Sequence, residues 1–372
     1  MPHLRSALLL VLAALALAVA LRGGPALAPA TADAARPLPG YVGAVRFGVY
    51  PGGDAGGTDG VLRAQAVDPG RRLAMIRGLR AGRRDFVLHE YAAFHDAGSF
   101  AAAVPHVDQV LRDAAATGCQ VELVLRYQPS DREPAHAVPA YLEFVRQVAR
   151  TYGPRRELVG LQITNEANVV GAPAAADGDY PGVAQALVEG VATAAAERDR
   201  LGHRHLAIGF NAAHDLRGHD FWTGLRRSGG PAFARAVDYV GLDVYPGTWP
   251  TPARRPPSSH AVRTTVRRSL ARLRANMRRA GLGRRVAVHV SENGYPTGPG
   301  RSERTQARVL RASVAAVLGA RRRYGVSDYR WFDLRDADSG SADFQSRYGL
   351  LRDDLSPKPA FAALRALVAR HG

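Results

Sequence analysis

Cysteine is almost absent from this chain of 372 residues; Cys119 stands alone. An intramolecular disulfide is therefore excluded, and the fold holds together without bridges in whatever compartment it occupies. Within Thr117-Gly118-Cys119-Gln120-Val121, which reads as a turn entering a strand, the thiol is expected to be an inert buried side chain. Metal-ligand spacing is missing too. His89, His214 and His289 form no ligand pattern and are expected to be structural, so neither a metal nor another cofactor is expected. Long apolar runs are also lacking. Ala7 to Leu21 is an uninterrupted run, but its 15 residues fall short of the roughly 20 that cross a bilayer. Downstream of it no low-complexity linker interrupts the chain, which argues for one folded domain.

What is present at the N-terminus fits an export signal. Arg5 supplies positive charge, the apolar run follows, and small residues lead to Ala32-Asp33-Ala34, a cleavage site before Ala35. Residues 1–34 are thus read as signal peptide and leader, and 35–372 as the folded domain of a secreted protein. The alternative is an uncleaved segment, flanked by Arg22, that anchors the chain to a membrane.

Net charge is +17 and the isoelectric point about 10.8, which raises the question of nucleic acid. The positive charge is almost all arginine, gathered in Arg263 to Arg285 and in Arg321-Arg322-Arg323. Val262, Val266, Leu270, Leu273 and Met277 recur at helical spacing within the first cluster, which puts Arg267, Arg268, Arg272, Arg274, Arg278 and Arg279 mainly on the opposite face. No aromatics interleave there to stack on bases. A solvated helix face is expected, with no nucleic-acid partner. Loose, salt-sensitive attraction to an anionic cell envelope remains open, and a monomer is assumed.

With 46% hydrophobic residues the chain can fill one large core. Short β-rich apolar runs alternate with longer amphipathic stretches. Strands are predicted at Val45–Tyr50, Asp85–Glu90, Val121–Tyr127, Leu158–Thr164, His205–Asn211, Tyr239–Val244, Val286–Ser291 and Tyr329–Asp333. Helical stripes lie between them: Tyr141, Phe144, Val145, Val148 and Tyr152; Val183, Leu187, Val188 and Val191; Leu310, Val314, Val317 and Leu318. A last helix is predicted with Ser356 as N-cap and Pro357 at its first position, burying Phe361, Leu364, Leu367 and Val368. Strand starts recur about every 34 to 47 residues, which predicts parallel β-α-β units closed into a single (β/α)8 barrel of the α/β class. In such barrels the functional groups sit at the C-terminal ends of strands.

Two of those ends carry carboxylates. The fourth strand runs into Ile163-Thr164-Asn165-Glu166-Ala167-Asn168, and the seventh into Val290-Ser291-Glu292-Asn293-Gly294-Tyr295. Two carboxylates facing each other across a pocket are the minimum equipment for hydrolysing a glycosidic bond, one to protonate the leaving oxygen and one to attack or stabilise the anomeric carbon. Taken singly, either glutamate would be read as a surface or helix-start carboxylate. The aromatics Tyr127, Tyr245, Trp249, Tyr295 and Trp331 fall at or just past strand ends and are expected to line one cleft.

Asn165-Glu166 after the fourth strand with Glu292 after the seventh resembles the clan A glycoside hydrolases, a superfamily of retaining barrels. The resemblance implies Glu166 as acid/base, Glu292 as nucleophile, and Asn165 as the partner of the sugar hydroxyl beside the anomeric carbon. Tyr245, in Gly241-Leu242-Asp243-Val244-Tyr245-Pro246, falls where the clan often has a tyrosine near the nucleophile. Trp331, in Tyr329-Arg330-Trp331-Phe332-Asp333, falls where it has a sugar-stacking tryptophan. Tyr348-Gly349-Leu350-Leu351 and Ser356-Pro357-Lys358-Pro359-Ala360-Phe361 also resemble the clan's approach to its last helix. The chain departs from the pattern at Asp243, where many cellulase-like members have histidine. It departs again at His89-Glu90-Tyr91, where they have an arginine. Asp243 is read as a ligand of a sugar hydroxyl or a partner of a barrel arginine such as Arg126. Ser291 to Pro296 is similar to the nucleophile segment of endo-β-glucanases acting on laminarin.

The expected activity is thus retaining hydrolysis of β-linked oligo- or polysaccharide. A non-catalytic barrel that binds glycans or the cell envelope is the alternative, favoured only by the two departures. A phosphate-binding metabolic barrel is a third reading, suggested by Thr297-Gly298-Pro299-Gly300 after the seventh strand and opposed by the leader. N-terminal sequencing of secreted material should find Ala35 as the first residue; an intact leader retained in the membrane would establish the anchor instead.

Overall fold

The computed structural model describes residues 44–57, 60–213, 219–248 and 255–372. The leader at 1–34, His214 and Trp249 lie outside the described residues.

Chain order runs β1 (Arg46–Val49), a small hairpin of β2 (Ala55–Gly57) and β3 (Gly60–Leu62), then α1 (Pro69–Leu79), β4 (Val87–Phe94) and α2 (Ser99–Thr117). Next come β5 (Gln120–Tyr127), α3 (Pro134–Tyr152), β6 (Leu158–Ile163), α4 (Val183–Leu201), β7 (Ala207–Ala213) and α5 (His219–Ala236). The chain finishes with β8 (Tyr239–Val244), α6 (Ser259–Arg279), β9 (Ala287–Asn293), α7 (Glu303–Tyr324), β10 (Val326–Trp331) and α8 (Pro359–His371). All strands but β2 and β3 pair in parallel and close into a barrel of order β1-β10-β9-β8-β7-β6-β5-β4. This is the expected (β/α)8 barrel. The hairpin β2–β3 grows from the glycine-rich segment after β1.

Side-chain alternation sorts each strand into two faces. Val121, Leu123 and Leu125 of β5, Val240, Leu242 and Val244 of β8, and Val288 and Val290 of β9 join the apolar core beneath the helices. The helices meet them with the predicted stripes: Tyr141, Phe144, Val145, Val148 and Tyr152 are all buried on α3, and Val262, Val266, Leu270, Leu273 and Met277 on α6. Arg267, Arg268, Arg272, Arg278 and Arg279 are exposed, as that stripe requires. Arg274 departs from it, donating to the carbonyls of Tyr324 and Val286 at 2.5 and 2.7 Å. Ser258 and Ser302 cap α6 and α7. The last helix begins at Pro359 with Lys358 at the cap, two residues later than expected from Ser356, whose backbone N–H is held by Asp354. Cys119 is buried, and burial pushes its thiol up.

The opposite strand face points to the barrel axis and is unusually polar. Glu122 of β5 accepts from His89 of β4 at 2.8 Å and from His289 of β9 at 3.1 Å, and lies 3.0 Å from Arg330 of β10. Asp328 of β10 pairs with Arg46 at 2.9 Å and with Arg330 at 3.1 Å. Burial alone would raise both carboxyls. The Arg330 guanidinium, with the two histidines, instead holds Glu122 well below the usual range, and Arg46, His289 and Arg330 bring Asp328 down from 3.8 to about 2. Burial also lowers His289, which Tyr239 covers with a ring stacked at 3.9 Å. Thus His89 and His289 serve the scaffold.

Removing one partner of a buried charge cluster strands the other, at about 3–5 kcal/mol. Asp328→Asn should therefore destabilise the protein by that order at neutral pH. A depressed carboxyl contributes stability that is complete above its unfolded pKa and is lost as pH falls through the folded value. For Asp328 that window runs from 3.8 down to about 2 and is worth about 2 kcal/mol. Urea unfolding against pH should show the gap between wild type and Asp328→Asn narrowing across it; a constant gap would show that the charge of Asp328 contributes nothing.

Candidate active site

Glu292 owes its direction to an irregularity in β9. Gly241 pairs with His289 and Asp243 with Glu292, so β9 advances one residue more than β8 over this stretch. Without that bulge, alternation would send Glu292 to the helix side with Val288 and Val290; the extra residue re-aims it at the axis. There Tyr91 Oη of β4 donates to Oε1 at 2.5 Å, and Tyr245 Oη donates to Oε2. Burial, followed by the charge of Glu292, raises both phenols well above their usual range, so they stay protonated donors. Asn293 is locked in turn, giving its amide to the Val244 carbonyl at 2.5 Å and accepting from Tyr329 Oη at 2.7 Å.

Glu166 is aimed by a different device. After β6 the chain bends sharply, with Thr164 at φ 61° and Glu166 at φ 46°, a left-handed conformation that costs a non-glycine residue about 1–3 kcal/mol. Hydrogen bonds from all sides hold the bend. Buried Asp177 accepts from the backbone N–H groups of Tyr127 and Asn165, both at 2.8 Å, and from Arg126 Nε at 3.0 Å. Glu166 N–H donates to Asn211 Oδ1 of β7 at 2.8 Å, and Asn211 Nδ2 reaches Asn165 Oδ1 at 2.8 Å and Asp243 Oδ2 at 2.5 Å. Asn165 Nδ2 donates to Ala175 O at 2.9 Å.

Glu166, Asp243 and Glu292 converge: one oxygen from each lies within 4.8 Å of the others. Two of these carboxylates are buried and Glu166 is half-buried, and at this separation repulsion between like charges disfavours ionising all three together. Burial, then the charge of Glu292, pushes Glu166 up to about 8, eased by a hydrogen bond with Asp243. The same two causes raise Asp243 well above its usual range, and Ser291 Oγ donates to its Oδ1 at 2.6 Å. The trio also has the spacing to hold a cation. However, its donors are spoken for: two favour their protons, and both oxygens of Glu292 accept from phenols.

The expected residues divide sharply. Glu166, Glu292, Asp243, Asn165 and Tyr245 meet in this network. Asp243 does not pair with Arg126, which Asp177 occupies. Trp331, Tyr127 and Tyr295 do not line the cleft. Trp331 shares the strand face of Tyr329, is fully buried, and donates its indole N–H to Tyr348 O at 3.2 Å. Tyr127 lies on the face of Leu123 and Leu125 and donates to Pro181 O at 3.0 Å; Tyr295 is buried in the same core, with Arg301 over its ring. The aromatic wall is built from others. Tyr50 and Phe332 stack at 5.2 Å, Tyr91 meets Tyr50 edge-on at 5.2 Å, and Tyr348 packs on Phe332 at 5.6 Å and on Tyr245 at 5.4 Å. Tyr91, Asn211 and Ser291 were also missed. Tyr91 and Ser291 share the axial alternation of His89 and His289, a signal available from their spacing alone, whereas Asn211 lies on β7 and has no such marker.

No protein-family model matches the chain, and no curated protein matches it in sequence. Solved structures match it in shape. A GH5_18 protein from Bifidobacterium longum subsp. infantis superposes with a TM-score of 0.63 at 17% identity, over 89% of this chain and 80% of that one. GH5_18 from Streptomyces cattleya, solved with Manb1-4GlcNAc, gives 0.59 at 18% identity over 88% and 80%. A family 39 glycoside hydrolase from Bacteroides cellulosilyticus WH2 gives 0.53 at 15% identity over 90% and 64%. What the chain shares with them is the closed (β/α)8 barrel, the fold of the clan it resembles in sequence.

Because Glu292 charge is the main cause after burial, Glu292→Gln should lower the Glu166 pKa by roughly a unit or more. Carbon NMR of labelled glutamate carboxyls against pH would measure it; an unchanged Glu166 titration would mean that the two charges do not interact.

Proposed function

We propose that this chain is a secreted retaining glycoside hydrolase, cleaving β-glycosidic bonds of an oligo- or polysaccharide by double displacement. The observation that carries this reading is the approach of Glu166 and Glu292 oxygens to within 4.8 Å of each other. Retaining enzymes hold their carboxyls about 5–5.5 Å apart, while inverting ones need roughly 6.5–9.5 Å to seat a water.

Glu166 begins protonated. As the bond between the anomeric carbon and the leaving oxygen breaks, its proton passes to that oxygen and a Glu292 oxygen bonds to the carbon. With Glu292 esterified, the repulsion that raised Glu166 is gone, and Glu166 becomes a competent base. It takes a proton from water, whose oxygen displaces Glu292 and restores the starting configuration. Tyr91 and Tyr245 keep the attacking carboxylate aligned. Tyr50 and Phe332 offer an apolar wall for a pyranose face, the role first expected of Trp331. The Manb1-4GlcNAc held by the Streptomyces cattleya protein makes β-linked hexose disaccharides the first substrates to test.

Glu292→Ala should nearly abolish turnover of every substrate. Glu166→Ala should impair natural glycans far more than aryl glycosides, whose activated leaving group needs no proton. Proton NMR of the first product formed should show the anomeric configuration retained. Net inversion would overturn the role of Glu292 as a covalent nucleophile, and binding without cleavage would establish the glycan-binding alternative.

A further inference from the structure

The β9–α7 and β10–α8 loops border an open cavity of about 280 Å³ that the proposed hydrolysis does not use. Arg301, Arg347, Arg352 and Lys358 line it, together with the carboxylates Glu303 and Asp336. The carboxylates are already answered: Asp336 by Lys358 at 2.7 Å and Glu303 by Arg352 at 2.6 Å. Arg301 and Arg347 have no carboxylate partner among the described residues, although Arg301 also lies over the Tyr295 and Phe344 rings at 5.6 and 4.8 Å. Arg301 is only 5% exposed; its Nη2 donates to Thr248 O, while Nη1 has no hydrogen-bond partner among the described residues. Half-buried Arg347 has neither an ion pair nor a partner for Nε among them. A buried guanidinium with open donors is a costly arrangement unless something accepts from it.

The surroundings favour a small anion. The cavity adjoins the start of α7, a helix of 22 residues whose first-turn N–H groups have no intrahelical acceptor, with only that of Thr305 taken by Ser302. Thr297, Gly298 and Ser302 add a hydroxyl and backbone rim. Barrels that bind phosphate frequently build the site from the loops after strands seven and eight and the N-terminus of a short extra helix; here the terminus is that of α7 itself. Thr297 and Gly298 of Thr297-Gly298-Pro299-Gly300, singled out in the sequence, form part of its edge.

We propose that this cavity binds a tetrahedral oxyanion, phosphate or sulfate, clamped between Arg301 and Arg347 over the α7 N-terminus. The anion is either a free ion or an ester group on a sugar. Titration calorimetry with inorganic phosphate and sulfate at constant ionic strength should give saturable binding of one ion per chain. Arg347→Gln should weaken it roughly tenfold or more, and Arg347→Lys should restore part of the loss. Arg301→Gln should abolish it; if that variant fails to fold by circular dichroism, the Arg347 pair decides alone. Tighter binding of a sugar phosphate or sulfate than of the free ion, with none of the neutral sugar, would assign the group to a glycan; equal binding would assign it to the free ion. Absence of saturable binding, or binding indifferent to Arg347→Gln, would overturn the proposal. The titration involves no turnover, so its failure would leave the hydrolase reading intact.

Discussion

A β-strand can offer its side chains to only two faces, and in this barrel every other feature follows from how those faces are filled. One face is committed to the helices and is apolar almost without exception. The other converges on the barrel axis, where eight strands bring polar groups too close to be independent. Charge placed there must be balanced by a neighbour or by a proton.

The axis contains both solutions. Deep in the barrel, Glu122 and Asp328 are surrounded by Arg330, Arg46 and two histidines, and both carboxyls are held below their usual range. Toward the mouth, Glu166, Asp243 and Glu292 have hydroxyl and amide donors and no ion pair among the described residues, and burial with mutual repulsion raises Glu166 and Asp243. One layer therefore keeps its carboxylates ionised at neutral pH, and the layer above it is poised to exchange protons.

Much of this was legible in the sequence. The barrel strands were found with small boundary errors, and Tyr239–Val244 without any, because apolar runs flanked by turns are local signals. Glu166 and Glu292 were found because strand ends mark the mouth. The errors have physical causes. Trp331 and Tyr127 were assigned to the cleft by their nearness to strand ends, although their spacing from Tyr329 and from Leu123 and Leu125 already put them on the helix face. Glu292 shows the converse, since its spacing from Val288 and Val290 implies the wrong face and only the bulge corrects it. Nothing local announces that bulge. The Glu122 cluster unites residues from β1, β4, β5, β9 and β10, so no stretch of sequence displays it, though each charge interrupts an otherwise apolar strand.

Lys358 has a consequence outside the chemistry of the barrel. It is the chain's single lysine, it is 2% exposed, and its ammonium is held by Asp336 at 2.7 Å and by Thr297 Oγ1 at 3.0 Å. The surface is instead carpeted with guanidinium groups, which remain charged but do not acylate under conditions that modify amines. Among the described residues the native protein therefore presents no side-chain amine to activated esters, aldehydes or lysine acylation. It is strongly cationic, yet nearly invisible to the reagents commonly used to tag, immobilise or crosslink basic proteins.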